Sequence, residues 1–123
     1  MKPVAILLAL AALACGCRGG QTPAAYVVET GGRADRGRAV IGSSRCGTCH
    51  VIPGVRGARG TLAPPLTAFA LRAWVGGELP NTPENVVRWI ESPRSVEPGT
   101  AMPDLGLDEQ QARDVAAYLY TLR

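Results

Sequence analysis

Two cysteines and the only histidine of the chain lie together in the stretch RCGTCHVIPG, residues 45–54. Cys46 and Cys49 are three positions apart, and His50 follows directly. A structural zinc site needs four ligands, and beyond these three residues only a cysteine near the N-terminus is available. A thioredoxin-type redox pair belongs in a βαβ context, which the sequence lacks, and a disulfide across three positions leaves His50 unexplained.

Covalent attachment of haem accounts for all three side chains. In this arrangement the thiols of Cys46 and Cys49 bond to the two vinyl groups of the porphyrin, and the imidazole of His50 binds the iron on the proximal side. The spacing therefore predicts one covalently bound haem c, with its iron, as the cofactor.

A low-spin haem that carries electrons needs a second axial ligand. The chain has no other histidine, its only lysine is Lys2, and its only methionine besides the initiator is Met102. Met102 lies in the loop sequence PGTAMPD, where its flexible thioether can reach the iron. The sequence predicts His50 and Met102 as the axial ligands; ordinary loop or core packing is the alternative for Met102.

The first residues indicate export. The apolar run VAILLALAALA is shorter than the about 20 residues of a membrane-spanning helix and suits a signal peptide covering residues 1–17. It ends in ACGC, which resembles the lipobox of bacterial lipoproteins, with Cys17 favoured over Cys15 as the lipidated residue. We expect a protein at the periplasmic face of a bacterial membrane, with residues 18–32 as a flexible tether. Ordinary cleavage, leaving a soluble periplasmic protein, is the alternative.

Composition excludes one class of partner and supports a buried cofactor. Without Lys2 the basic residues are all arginines, twelve against ten acidic residues, and no dense basic run occurs, so nucleic-acid binding is not expected. The 123 residues suffice for one domain, yet they include only one Phe, two Trp and three Tyr. A large planar cofactor would help to fill such an interior.

The pattern of apolar residues predicts an all-α domain with long loops. Apolar spacing and stop signals favour helices at 34–44, 67–77, 81–93 and 108–122. Thr82 can cap the third helix, and Asp108 with Gln111 forms a capping box for the last. No segment alternates as a strand, and the loops at 51–65 and 94–106 are rich in Pro and Gly.

With these residues placed, the chain resembles the class I c-type cytochromes over residues 33–123. Besides CxxCH, the resemblance rests on APPL, which is similar to the family's Gly-Pro-x-Leu turn although Ala63 replaces the glycine. It implies the cytochrome c-like fold, with short helices wrapped around the haem. In that fold the carbonyl of Pro64 accepts a hydrogen bond from His50, and Leu66 packs on the haem.

Two further parts of the chain carry the resemblance. WIESPRSVEPGTAM is similar to the family's approach to the distal methionine, with Trp89 beside the haem where the family usually has tyrosine. The first and last helices resemble the family's terminal pair, which implies that Tyr118 packs against Gly37.

The resemblance also implies a function. With both axial positions of the iron filled, the protein is expected to pass single electrons through an exposed haem edge near Cys46 and Cys49, and not to act as an enzyme. Arg56, Arg59 and Trp74 are candidate partners of the haem propionates. Solvent-exposed arginine is the alternative for the first two, and core packing is the alternative for Trp74.

The expected partners are other redox proteins, and the protein itself is expected to be a monomer. The stretches IPGVRGARG and LPNTPENVVRWI are similar to those of small c-type proteins associated with haem–copper oxidases, so membrane respiratory complexes are the expected donor and acceptor. The alternative function is a haem protein whose Met102 dissociates so that the iron binds small ligands or reduces peroxide. No second histidine or obvious carboxylate is available to assist that chemistry.

Overall fold

The computed structural model describes residues 27–123. The expected signal peptide, the lipidated Cys17 and residues 18–26 of the expected tether lie outside the described residues. Within them are four helices, α1 (Ala34–Ser43), α2 (Pro83–Glu91), α3 (Pro93–Val96) and α4 (Glu109–Leu119). Two 3₁₀ turns, at Cys46–Thr48 and Phe69–Leu71, and a hairpin of β1 (Trp74–Val75) and β2 (Leu79–Pro80) complete the secondary structure. No helix within residues 27–123 has the length and apolar character needed to cross a membrane.

Helices α1 and α4 form the main packing contact, and a glycine allows their close approach. A Cβ built at the buried Gly37 would lie 1.8 Å from the carbonyl oxygen of Asp114. The atoms nearest to that Cβ belong to the backbone of Asp114 and Val115, so α4 itself makes the closest contact, and packing of the Tyr118 ring against Gly37 stays a prediction. The hydroxyl of Tyr118 donates to the carbonyl of Pro53 at 2.6 Å, which ties α4 to the loop after the CxxCH motif.

A buried carboxylate fastens the start of α1 to α4. Asp114 is 4% exposed and accepts hydrogen bonds from the amide of Arg33 at 2.7 Å and from the side chain of Gln110 at 3.2 Å. The guanidinium of Arg36 completes the set with an ion pair of 3.1 Å. A buried charge is tolerated when it is paired and hydrogen-bonded in this way.

The folded domain begins before the expected boundary at residue 33. Thr30 is 3% exposed, and its hydroxyl donates to the carbonyl of Arg113 at 3.1 Å. The guanidinium of Arg113 returns a hydrogen bond to the carbonyl of Thr30 at 3.0 Å. The last residues of the expected tether are therefore a fixed part of the domain.

The capping predictions at α2 and α4 are confirmed. The hydroxyl of Thr82 accepts from the amide of Asn85 at 3.3 Å, and Asp108 and Gln111 form the reciprocal capping box at the start of α4. Helix α2 ends at Glu91, and a further short helix, α3, begins at Pro93 and extends to Val96, inside the stretch 94–106 that was expected to be loop.

The helix expected at 67–77 is wrong. Ala68 has a left-handed backbone (φ +51°), only a 3₁₀ turn follows, and the chain then enters the hairpin. Gly76 and Gly77 both have positive φ, which makes the turn between β1 and β2. The side-chain amide of Asn81 donates to the carbonyls of Phe69 and Arg72 at 3.1 and 3.0 Å, and a continuous helix would have satisfied these carbonyls within its own backbone.

One apolar core joins these elements. Its buried members are Ile41, Ile52, Ala58, Phe69, Val75, Val86, Val87, Trp89, Ile90, Ala112, Val115, Ala116, Leu119, Tyr120 and Leu122. Because the only strands among the described residues are two residues long, the all-α prediction is confirmed, with the hairpin as a local departure.

Candidate haem site

The orientation of His50 is set by one hydrogen bond. Its Nδ1 lies 2.7 Å from the carbonyl oxygen of Pro64. A carbonyl can only accept, so Nδ1 carries the proton and Nε2 keeps its lone pair available for a metal. The contact joins the two residues that the resemblance pairs, and it leaves the imidazole in the tautomer that a haem iron requires.

The CxxC segment is a tight turn. Cys46–Thr48 form a 3₁₀ turn after Arg45, whose backbone is left-handed (φ +60°), and the amide of His50 donates to the carbonyl of Cys46 at 3.1 Å. Cys46 and Cys49 are half-buried free thiols. Burial raises the pKa of the Cys46 thiol above its ordinary value, so this sulfur is protonated at neutral pH.

Glycines let the following loop fold directly onto this turn. A Cβ at Gly47 would lie 2.5 Å from the Cα of Ala58, and one at Gly60 would lie 2.2 Å from the carbonyl oxygen of Thr48. The amide of Gly60 donates to the carbonyl of Gly47 at 3.0 Å. No side chain fits at either glycine, so the CxxCH turn packs directly against the backbone of residues 58–60.

The turn that carries Pro64 is bonded to the CxxCH segment on both sides. The amide of Ala63 donates to the carbonyl of Cys49 at 3.0 Å, and the amide of Leu66 donates to Val51 at 2.8 Å. Leu66 is half-buried and packs against the core. The carbonyl of Pro64 is thus held in place beside His50, because residues on either side of Pro64 are bonded to residues on either side of His50.

Arg72 also supports this turn, and the sequence reasoning missed it. Its guanidinium donates to the carbonyl of Pro65 and, at 3.3 Å, to that of Thr67, and it lies 5.6 Å from the ring centroid of Phe69. The available signal was its position as the only charged residue in the apolar stretch AFALRAWV. A lone guanidinium among apolar side chains needs local acceptors.

Met102 lies in a loop that is ordered by hydrogen bonds. Its amide donates to the hydroxyl of Thr100 at 3.2 Å, and the backbone amide of Thr100 donates to the carbonyl of Glu97 at 3.0 Å. The side chain of Met102 is half-buried and packs against the core. Its role as an iron ligand stays a prediction.

The remaining predicted residues differ in burial. Trp89 is 9% exposed, and Gly76 of the hairpin turn lies so close that a Cβ there would be 2.5 Å from its ring. Trp74 is 57% exposed and is not a member of the buried core described above. Arg56 and Arg59 are exposed, and their side chains make no ion pair or hydrogen bond with residues 27–123. Within residues 27–123, no hydrogen bond joins the side chain of Trp74, Arg56 or Arg59 to the CxxCH segment.

The donor set fits covalent haem c. Two free thiols are followed by an imidazole whose Nε2 is available, and half-buried Leu66 and Met102 supply apolar surface from separate loops. A zinc cage finds no such support, because residues 27–123 contain no cluster of three or more His, Cys, Asp or Glu side chains able to hold a metal ion.

Comparison with known proteins agrees with this chemistry. The family model "Cytochrome c" matches residues 34–123. The chain belongs to the cytochrome c family. The expected fold and the cofactor, covalent haem c with its iron, are thereby confirmed. The chain is also 33% identical over 94 residues to "Cytochrome c oxidase subunit 2" of Bacillus sp. (strain PS3); the match covers 73% of this chain and 26% of that protein.

Proposed function

We propose that this cytochrome carries single electrons between membrane-bound respiratory complexes, with His50 and Met102 as the axial ligands of its haem iron. Membership of the family establishes a haem-based electron carrier. The observation that carries the finer proposal is the bond from Nδ1 of His50 to Pro64, because it leaves Nε2 as a fixed proximal donor. Met102 supports it as the only methionine within residues 27–123.

The chain's own residues hold the site and restrict its rearrangement. When bound, the haem supplies reversible one-electron exchange at its iron. Cys46 and Cys49 would fix its position, and the hydrogen bond from His50 to Pro64 restrains rotation of the imidazole. The loop around Thr100 would hold the Met102 thioether as the second ligand, and a thioether ligand would favour reduced iron and so raise the potential. With both ligands in place, the protein would transfer electrons without binding a substrate at the metal.

The proposed partner is a haem–copper oxidase. Support comes from the relative named as subunit 2 of cytochrome c oxidase; the match covers about a quarter of that relative's length. We propose that the present chain works as a separate monomer, held by lipid at Cys17 on the periplasmic face of a bacterial membrane. Co-purification with the oxidase in mild detergent would distinguish a fixed subunit from a free shuttle.

Optical spectra of the haem-loaded full-length protein test the axial ligands. We expect a low-spin spectrum, with the weak sulfur-to-iron band in the oxidised state and no change on adding carbon monoxide at neutral pH. Met102→Ala should give a high-spin spectrum that responds to carbon monoxide. Leu107→Ala is the matched control, because Leu107 is a half-buried residue of the same loop and packs against the same core. A wild-type protein that already binds carbon monoxide would instead support the ligand-binding or peroxide-reducing alternative.

A further inference from the structure

A groove runs between α1 and the loop of residues 52–58. It consists of a cavity of about 340 Å³ and an adjoining one of about 190 Å³, which share Gly42, Val55 and Arg56 in their walls. Arg38 lines the first cavity and Arg45 the second. We call this feature the arginine groove.

The guanidinium groups of the arginine groove have no counter-ion in the described part of the chain. Arg38, Arg45 and Arg56 are exposed, and none of their side chains makes a hydrogen bond or ion pair with residues 27–123. The one carboxylate in the walls, Asp35, is already paired with Arg33 at 2.8 Å. The groove therefore has an uncompensated positive charge.

This charge belongs to a wider separation along the chain. Residues 33–59 contain six arginines and a single acidic residue, Asp35, whereas residues 60–123 contain five arginines and eight acidic residues. The arginine groove lies wholly within the first of these segments. Arg33 and Arg36 are paired with Asp35 and Asp114, so the attraction for an anion comes from the unpaired guanidinium groups of the groove itself.

The backbone of the groove is accessible as well as its side chains. A Cβ built at Gly42 or at Gly57 would meet no atom within 4 Å, so small residues leave room above the chain. The amides of Arg56 and Gly57 donate to no acceptor among the described residues. Free amides beside guanidinium groups are the donors that phosphate oxygens accept from in proteins.

We propose that the arginine groove binds a phosphate-bearing anion, either free phosphate or the headgroup of an anionic lipid. Gly47 and Thr48, inside the CxxCH motif, line the smaller cavity, so the bound negative charge lies next to the haem attachment. Negative charge there stabilises the oxidised haem, which has one more positive charge than the reduced haem. Phosphate therefore lowers the midpoint potential, and by linkage the oxidised protein binds phosphate more tightly than the reduced protein.

Calorimetric titration of the full-length, haem-loaded protein with inorganic phosphate tests the groove, with ionic strength held constant by chloride. We expect saturable binding that the double variant Arg38→Met with Arg56→Met weakens about tenfold or more. The control is Arg88→Met with Arg94→Met, which removes the same charge from two exposed arginines that lack partners among residues 27–123 and should change the affinity less than about twofold. Equal weakening in both variants would overturn the proposal, as would the absence of saturable phosphate binding together with the absence of any effect of anionic vesicles on the midpoint potential.

The midpoint potential of the same proteins in liposomes identifies the source of the anion. If vesicles containing phosphatidylglycerol lower the potential of wild type and control relative to phosphatidylcholine vesicles, but not that of the groove variant, the ligand is a lipid headgroup. If only inorganic phosphate lowers the potential, the ligand is the free anion. If neither does so, the proposal fails, while the optical assignment of His50 and Met102 is unaffected.

Discussion

At the scale of single residues, the site depends on the protonated nitrogen of His50 and on two glycines, Gly47 and Gly60. The carbonyl of Pro64 decides which nitrogen of His50 is protonated, across fourteen positions of chain. Gly47 and Gly60 let the backbone on either side of the motif come into direct contact. Protonation of His50 at Nε2 would remove the lone pair needed for the metal. A Cβ at Gly47 or Gly60 would push the CxxCH turn away from the backbone that it contacts.

Gly37 provides a test of close approach at the helix crossing. We expect Gly37→Ala to lower the free energy of unfolding by about 3 kcal/mol, because its Cβ would overlap the carbonyl of Asp114, which cannot move without shifting α4. Gly42→Ala is the control in the same helix, where a Cβ meets nothing within 4 Å, and should stabilise by about 0.5 kcal/mol. Urea unfolding of the haem-loaded proteins measures both. Similar stabilities for the two variants would show that α1 and α4 pack less closely than described.

At the scale of elements, local signals decided which predictions succeeded. The caps at Thr82 and Asp108 involve residues three positions away, so the sequence contains both partners and both predictions are confirmed. The helix expected at 67–77 failed because its competitor is not local. Asn81 takes the carbonyls of that stretch, and Gly76 has to pass over the ring of Trp89, a contact that no periodicity reveals.

The same division applies to the candidate site. CxxCH is contiguous, so the sequence indicates its cofactor directly, and the pairing of His50 with Pro64 was implied by the resemblance of APPL to the family's turn. The contacts of Arg72 depend on a left-handed backbone at Ala68, which alanine seldom adopts, and could not be predicted from the residue types.

The capping box of α4 gives a prediction at this scale. Asp108→Ala should cost about 1 kcal/mol of unfolding free energy, because the amide of Gln111 loses its acceptor and the first turn of α4 loses a favourable charge. Asp104→Ala serves as the control, since Asp104 is an exposed loop carboxylate with no partner among residues 27–123. Thermal unfolding of the two variants beside wild type gives the comparison. A loss of equal size at Asp104 would assign the effect to net charge and not to the cap.

At the scale of the whole molecule, the domain is oriented by its charge and by the place where the chain leaves it. The arginine-rich segment, residues 33–59, carries the haem attachment, whereas α2 to α4 belong to the acidic segment. Thr30 is fixed to Arg113, so the domain holds the chain on the α4 side. If the chain is anchored through Cys17 as proposed, the domain is held to the membrane from its α4 side.

The anchor itself gives the last prediction. If Cys17 bears the lipid, the chain between it and residue 28 extends at most about 40 Å, so the anchored cytochrome would stay close to the membrane, at a high effective concentration for the proposed oxidase partner. Cys17→Ser should release the haem-loaded protein into the periplasm, and its rate of oxidation by oxidase-containing membranes should rise in proportion to its concentration. Cys15→Ser is the control and should leave the protein on the membrane, with a rate that does not change on dilution of the membranes. If Cys15→Ser releases the protein and Cys17→Ser does not, the lipidated residue is Cys15. A wild-type protein found free in the periplasm would show ordinary cleavage, and the proposed shuttle would then diffuse in three dimensions.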